Sequence, residues 1–202
     1  MRGAILAGGA ASRFEGRPKG LETVGGERML DRVATALGTA TDTPPLLIAN
    51  AADAPTWIPG LQVVPDVIPN CGSLGGIYTA VTAADGPVLV VGWDMPFVTS
   101  SLLDALVAGA GRHDVFLPES DGPLGVEPLC GVYGPGTGPV IRASLEEADY
   151  RATAFHARVA VGTMALDRVR SLGDPGELFF NVNEPADLAE AERRWRRSAG
   201  GD

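Results

Sequence analysis

The residues best suited to binding phosphate lie close together near the start of the chain. Gly8 and Gly9 follow a short apolar run, and the basic side chains of Arg13 and Lys19 come a few residues later. Glycine lets the backbone approach a ligand and leaves its N–H groups accessible, while the basic side chains add positive charge. The spacing matches neither the dinucleotide fingerprint nor the P-loop. The segment therefore indicates a polyphosphate site of another type, although a Gly-Gly pair alone is also typical of an ordinary turn.

Lys19 is the only lysine in the chain, since the other fifteen of the sixteen basic residues are arginine. An arginine-rich composition can leave one lysine by chance. Alternatively, position 19 requires a compact ammonium group that a guanidinium does not replace. Residues 1–32 carry six basic and four acidic side chains, whereas the whole chain has a net charge of −9. This distribution favours a site for a small anion and argues against nucleic-acid binding.

Asp94 is the acidic residue whose position most favours a metal ligand. It follows six uncharged residues of a predicted buried strand, and an acid at such a strand end needs a partner. The alternative is a helix cap, but Asp94 lies five residues before the next predicted helix, with Pro96 between them. Mg²⁺ binds through one or two carboxylates together with phosphate oxygens, so a single aspartate is sufficient.

Three further polar residues are candidates with open alternatives. Asp66 precedes Pro69 and Gly72, where an acid is often only a turn former. Asn181 and Asn183 lie two positions apart on a predicted extended segment, so their side chains point the same way. The alternative is that the two Asn side chains hydrogen-bond to the loop backbone and cap the following helix.

These residues must be positioned by alternating strands and helices. Hydrophobic periodicity predicts strands over 3–7, 45–49, 61–64, 87–92, 114–117, 128–133 and 178–182. It predicts helices over 27–37, 77–84, 99–110, 139–148 and 185–197, with a weaker one over 153–159. The alternation predicts a single α/β domain with a mostly parallel sheet and helices on both faces. Three segments follow the carboxyl ends of predicted strands, the edge at which such sheets bind ligands. These segments are 7–26, 65–76 and 93–97.

Four motifs in order resemble those of the molybdenum cofactor guanylyltransferase (MobA-like) family of nucleotidyltransferases. They extend over nearly the whole chain, which makes the resemblance specific. The motifs are Leu6-Ala-Gly-Gly with Ser12-Arg13-Phe14, Gly16 and Pro18-Lys19-Gly20-Leu21; Val64-Pro-Asp66 with Gly72-Ser-Leu-Gly-Gly76; Trp93-Asp94-Met95-Pro96-Phe97; and Phe180-Asn-Val-Asn-Glu-Pro-Ala-Asp-Leu188.

The resemblance implies a Rossmann-like sheet of the nucleotide-diphospho-sugar transferase type in one domain over 1–202, with a nucleotide-binding half over 1–110 and an acceptor-side half over 111–202. It implies Mg²⁺-dependent transfer of GMP from GTP to molybdopterin, with release of pyrophosphate. Two positions depart from the family pattern: Trp93 replaces a small residue or cysteine, and Glu184 replaces a threonine that caps the last helix. Trp93 is expected to narrow the site.

The resemblance also implies a role for each matching residue. It makes Lys19, Arg13 and Asp94 the catalytic group, in which Lys19 and Arg13 hold the triphosphate and Asp94 binds Mg²⁺. The residues implied in guanine, ribose and general nucleotide binding are Leu6, Ala7, Gly8, Gly9, Asn50 and Asp66. Asn181 and Asn183 are expected on the acceptor side.

Several alternatives keep the fold and change the function. The acceptor or the base can differ, as in transfer from CTP or transfer to a sugar phosphate, and a nucleotide-binding module without turnover is a rival of another class. Molybdoenzyme maturation proteins are candidate partners through the resemblance. The apolar stretches are too short to span a membrane, and the two cysteines form no disulfide framework or metal motif. A cytoplasmic protein with reduced thiols is expected.

Overall fold

Strands and helices alternate through most of the structure, a computed structural model that describes residues 1–8 and 18–199. The strands are β1 (Arg2–Leu6), β2 (Thr23–Val24), β3 (Glu27–Arg28), β4 (Leu46–Ile48), β5 (Gln62–Val64), β6 (Val88–Gly92), β7 (Val115–Pro118), β8 (Cys130–Tyr133) and β9 (Val161–Met164). The helices are α1 (Met29–Thr41), α2 (Gly72–Ala83), α3 (Ser100–Gly109), α4 (Thr137–Glu146), α5 (Leu166–Arg170), α6 (Pro175–Leu178) and α7 (Pro185–Ala199).

Seven of these strands form one sheet in the order β5-β4-β1-β6-β8-β7-β9. β8 runs antiparallel to both of its neighbours, and the other neighbouring pairs are parallel. The central strand β6 is buried along its whole length, because helices cover both faces of the sheet. The predicted fold class, a single α/β domain with a mostly parallel sheet, is confirmed.

The core lies in two apolar layers, one on each face of the sheet. On one face α1 packs against α3, and Leu30 shares a buried cluster with Leu102. On the other face α2 packs against α4, and Ile77 shares a second cluster with Ile141. Alternate residues of β1 enter the two layers, since successive side chains of a strand point to opposite faces. Both layers therefore converge on the strand that leads into the predicted phosphate loop.

Two predicted helices differ from the structure by four or five residues at one end. The helix predicted over 27–37 is α1, which starts at Met29 and passes Gly38; it ends at Thr41, where Asp42 takes a left-handed conformation with φ 52°. The helix predicted to start at residue 77 is α2, which starts at Gly72. A Cβ on Gly76 would lie 3.3 Å from the side chain of Leu6, so the glycines that suggested a loop instead allow α2 to approach β1 closely.

The strand predicted over 178–182 is wrong. Leu178 ends α6, and residues 179–184 have no regular secondary structure, although Phe179 and Val182 are buried and Phe180 is partly buried. The apolar run reflects packing against neighbouring helices and not a place in the sheet. The strand β9 and the helix α5 were not predicted; Gly162 interrupts the apolar pattern of β9. The weaker helix predicted over 153–159 is a single 3-10 turn at His156–Arg158.

No helix in the described ranges is long and apolar enough to cross a membrane. Cys71 and Cys130 are both buried and free.

A small hairpin formed by β2 and β3 follows the predicted phosphate loop and packs against α7. Gly25 and Gly26 form its two-residue turn with φ of 61° and 82°, a conformation that favours glycine. Gly25 N–H donates to Glu192 Oε1 at 2.8 Å, and a Cβ on Gly25 would overlap the indole of Trp195. A Cβ on Gly26 would meet open space. Of the two turn glycines, Gly25 is therefore the one that packs on Trp195.

We expect Gly25→Ala to lower the free energy of unfolding by about 2–4 kcal/mol, because it adds steric overlap with Trp195 to the cost of positive φ. The matched variant Gly26→Ala has only the backbone cost, about 1 kcal/mol. Urea denaturation followed by circular dichroism measures both values. Equal losses in the two variants would contradict the packing of the hairpin on α7.

Candidate functional site

A cavity of about 750 Å³ lies at the carboxyl ends of β1, β4, β5 and β6, the edge where open α/β sheets bind ligands. Residues from distant parts of the sequence meet there. Eight of the residues predicted from the sequence line it: Leu6, Gly8, Lys19, Asn50, Asp66, Asp94, Asn181 and Asn183. Ala7 packs into the core, where its N–H donates to the carbonyl of Ile48 at 2.9 Å. Gly9 and Arg13 lie outside the described residues.

Lys19 contacts two of the other predicted residues. Its Nζ lies 2.6 Å from Asp94 Oδ2 and 3.0 Å from Asn183 Oδ1. The Lys19 and Asp94 side chains are only 16% and 11% exposed, so water screens this ion pair less than a surface pair. The ammonium group is thereby fixed at the cavity wall, where a negatively charged ligand can reach it.

Asp94 is held by its backbone as well as by its side chain. Its carbonyl accepts the N–H of Val182 at 2.9 Å, and the preceding N–H of Trp93 donates to the carbonyl of Leu6 at 3.2 Å. A Cβ on Gly92 would lie 2.7 Å from Asp94 Oδ1, so the glycine leaves room for the carboxylate. The cap of α3 is Thr99, whose side-chain oxygen accepts the N–H of Leu102, and the alternative of Asp94 as helix cap is therefore wrong.

Asn50 and Asp66 form a reciprocal pair across the ends of β4 and β5. Asn50 Nδ2 donates to Asp66 Oδ2 at 2.7 Å, and the N–H of Asp66 donates to Asn50 Oδ1 at 2.8 Å. The carboxylate therefore has an amide partner on the neighbouring strand end and is more than a local turn former. The pair holds two polar side chains on the cavity wall away from Lys19.

The two predicted acceptor-side asparagines are anchored differently. Asn181 Nδ2 donates to the carbonyl of Phe179 at 2.9 Å, whereas Asn183 gives its side-chain oxygen to Lys19. At the start of α7, the side chain of Asp187 accepts two backbone hydrogen bonds. Its Oδ2 accepts the N–H groups of Asn183 and Glu184 at 2.9 and 3.0 Å. Of the two alternatives left open for the Asn pair, capping of α7 is not what the structure shows, since Asp187 reaches back from the first turn and Asn183 binds Lys19.

The start of α2 forms another part of the cavity wall. Gly72, Ser73 and Gly76 line it. Positive φ occurs at Asn70, just before the helix (63°), and at Gly72, its first residue (58°). The first N–H groups of a helix have no partner within the helix and lie at the positive end of its dipole. This wall therefore favours an anion, and it lies at the sheet edge where segment 65–76 was expected.

Trp93 also lies on the cavity lining but is only 4% exposed. Its indole stacks on that of Trp57, with ring centroids 5.5 Å apart and 23° between the planes. The side chain therefore packs largely into the core, and only a small part of it is left to narrow the site.

Sequence reasoning missed Glu127, which lies just before β8. Its Oε1 accepts the N–H of Leu129 at 3.3 Å, and the carbonyl of Leu129 accepts the N–H of Gly92, two residues before Asp94. Burial, together with repulsion from Asp94, raises the pKa of Glu127 to about 7. In the sequence, Glu127 is an acid between apolar residues, which could have indicated a buried carboxyl. It was missed because it comes before a predicted strand, whereas the candidate residues follow strands.

The comparisons with known proteins address the fold and the family. Residues 3–162 match the family model of the MobA-like NTP transferase domain. The chain belongs to the MobA-like NTP transferase family. The resemblance predicted from the four motifs is thereby confirmed, and the MobA-like chain is a nucleotidyltransferase.

Relatives of this MobA-like chain match it over most of their length. It is 36% identical to the probable molybdenum cofactor guanylyltransferase of Pelotomaculum thermopropionicum over 94% of this chain and 90% of the relative. It is 35% identical to the probable molybdenum cofactor guanylyltransferase of Deinococcus radiodurans over 98% of this chain and 97% of the relative.

Solved structures show the same fold. Molybdopterin-guanine dinucleotide biosynthesis protein A from Archaeoglobus fulgidus superposes with a TM-score of 0.80 at 23% identity, over 96% of this chain and 98% of that one. The 4-diphosphocytidyl-2C-methyl-D-erythritol synthase from Anaerococcus prevotii superposes with a TM-score of 0.70 at 11% identity, over 97% and 96%. The MobA-like fold is thus shared with proteins of very different sequence.

We expect the buried carboxyl of Glu127 to make stability depend on pH. Because its folded pKa lies near 7 and its ordinary value is 4.5, the folded protein keeps a proton that the unfolded chain releases between these pH values. This contribution to the free energy of unfolding is present below about pH 4.5 and is lost as pH rises to about 7.

Glu127→Gln removes this dependence. The free energy of unfolding of the variant minus that of the unmodified protein should rise by about 3 kcal/mol between pH 4 and pH 8. Urea denaturation at intervals from pH 4 to 8, without divalent cations, measures the difference. A difference that stays constant with pH would contradict the buried position of Glu127.

Proposed function

We propose that this chain transfers GMP from GTP to the phosphate of molybdopterin and releases pyrophosphate, with Mg²⁺ as the cation. The names of the relatives support this, since several are molybdenum cofactor guanylyltransferases and one structural neighbour is a molybdopterin-guanine dinucleotide biosynthesis protein. The observation that carries the proposal is the contact of Lys19 with Asp94 and Asn183 on the wall of the cavity.

The phosphate side of this cavity has two sources of positive potential. One is the ammonium of Lys19, and the other is the N-terminal end of α2 at Gly72 and Ser73. A triphosphate bound between them would have its negative charge balanced at both places. Asn50 and Asp66, on a wall away from Lys19, supply the amide and carboxylate groups that hydrogen-bond to a base and a ribose.

NTP transferases of this kind generally need a divalent metal ion. Within 1–8 and 18–199 no group of three or more His, Cys, Asp or Glu side chains forms a metal cage. The donor set fits Mg²⁺, which is commonly bound by one or two carboxylates together with substrate phosphates. Asp94 would hold the ion, and the ion would neutralise charge on the phosphates.

The transfer itself requires alignment more than acid–base catalysis. An oxygen of the acceptor phosphate attacks the α-phosphorus of GTP, the bond from the α-phosphorus to the bridging oxygen breaks, and pyrophosphate leaves with the electron pair. The attacking phosphate is already ionised at neutral pH, so no strong base is needed. Lys19 balances the charge that develops on the leaving group, and Asn183 keeps the ammonium in place.

The two halves of the chain would divide the work. Residues 1–110 supply Leu6, Lys19, Asn50, Asp66 and Asp94 to the cavity, and we assign the nucleotide to this half. The part of the lining from residues 111–202, which includes Leu129, Asn181 and Asn183, is assigned to the acceptor.

The activity is tested by pyrophosphate release from GTP, molybdopterin and Mg²⁺. We expect turnover that needs all three components and falls at least tenfold in Asp94→Asn, because this change removes the carboxylate that would hold Mg²⁺ and that pairs with Lys19. Reactions without molybdopterin are the control. Absence of turnover in the unmodified protein would contradict the proposal, and a rise in Tm with GTP in that case would indicate a binding module.

The base is tested by thermal shift with GTP, CTP, UTP and ATP, each with Mg²⁺. We expect GTP to raise Tm most, since a ligand stabilises the folded state according to its affinity. A larger rise with CTP or UTP would overturn the guanylyl assignment and leave the nucleotidyl transfer itself intact.

The requirement for lysine at position 19 is tested by Lys19→Arg. The variant keeps the positive charge, but a planar guanidinium does not fit the compact site between Asp94 and Asn183, and we expect kcat to fall by at least an order of magnitude. Arg2→Lys, at the opposite end of β1, is the matched control and should keep full activity. Normal turnover by Lys19→Arg would show that the single lysine has no special role.

A further inference from the structure

We infer that Trp93 is a positioning residue, whose indole supports Gly20 and thereby holds Lys19 against Asp94. The inference rests on the proposed function, because it explains how the reactive ammonium is kept in place. It concerns the residue that departs from the pattern expected in the family, where a small residue or cysteine precedes the aspartate.

The contact between Gly20 and Trp93 is close. Gly20 is buried in the 3-10 turn Lys19–Leu21, and a Cβ on it would lie 2.6 Å from Cδ2 of the indole and nearer still to Cε3. Any side chain at position 20 would therefore displace either the turn or the ring. The backbone of the turn packs directly on the aromatic ring.

The indole is itself held in place. Trp57 stacks on Trp93, and Trp57 Nε1 donates to Asp53 Oδ2 at 3.1 Å, which fixes the second ring. The backbone of Trp93 is bound to Leu6 at the end of β1. The ring that supports Gly20 is thus anchored to the sheet and to a second aromatic side chain.

The segment Lys19–Gly20 contacts the segment Trp93–Asp94 at two neighbouring points. Lys19 pairs with Asp94, and Gly20 packs on Trp93. An ion pair alone leaves a long flexible lysine side chain able to pivot, whereas the steric contact fixes the backbone from which it extends. Reactions of this type lose up to about a hundredfold in rate when a reacting group is misplaced by 1 Å. The packing of Gly20 on Trp93 therefore bears on rate more than on nucleotide affinity.

The first experiment measures kinetics. We expect Trp93→Leu to lower kcat about tenfold with a smaller change in the KM for GTP, because the ammonium is misplaced but present. Trp93→Phe keeps a flat ring and should recover most of kcat. Leu103→Ala, a core change on α3 in the same buried cluster, is the control for lost stability alone.

A double variant tests the contact directly. Gly20→Ala should lower kcat through overlap with the indole, and Gly20→Ala combined with Trp93→Leu should be more active than Gly20→Ala alone. Losses that simply add would overturn the inference.

The second experiment does not depend on turnover. Lys19 is the only lysine, so reductive methylation followed by peptide mass spectrometry reports the accessibility of this one amine, with the α-amine of Met1 as internal standard. Methylation of Lys19 should be faster in Trp93→Leu and Gly20→Ala than in the unmodified protein, and unchanged in Leu103→Ala.

The outcomes separate the two proposals. If the unmodified protein has no activity but the methylation rates follow this order, the proposed function fails and the positioning role stands. If Trp93→Leu matches Leu103→Ala in both kcat and methylation rate, Trp93 is only a core residue. If Trp93→Leu does not fold, Gly20→Ala and Trp93→Phe decide by the same two measurements.

Discussion

The ion pair between Lys19 and Asp94 joins parts of the chain that are 75 residues apart, and much of the structure converges on it. Asp94 follows the central strand β6, and its carbonyl holds Val182 of the segment before α7. Lys19 follows the end of β1 and also binds Asn183. Removing two charges from water costs free energy, and here additional hydrogen bonds and close packing offset that cost. The sheet and the segment before the last helix therefore both contribute to one short contact.

The general fold and most of the cavity wall could be predicted from sequence because they depend on local patterns. Runs of apolar residues located the strands, and parallel strands carry the residues that follow them to a common edge. Lys19, Asp66 and Asp94 line the cavity for this reason. The resemblance to a known family added Asn50, and it favoured an acceptor-side role for Asn181 and Asn183, for which the local pattern gave no preference. The roles of all these residues stay predictions.

What sequence reasoning missed depends on contacts between distant segments. Glu127 precedes its strand, Asp187 reaches backward to the start of α7, and Trp57 lies behind Trp93 in the core. None of these arrangements has a local spacing that indicates it. Apolar side chains at 178–182 suggested a strand because burial in the core produces the same composition as burial in a sheet.

The antiparallel direction of β8 has a consequence for how the site is built. β7 ends at the cavity edge and β8 begins there, so residues 119–129 leave and return to the same edge. This segment is closed at its base by the bond from Glu127 N–H to the carbonyl of Pro118, and Glu119 N–H is bound to the carbonyl of Met164. Its outer part can gain or lose residues without changing the order or register of any strand. The fold thus offers one side of the cavity to evolutionary variation in length, while the side that carries Lys19 and Asp94 is constrained by the centre of the sheet.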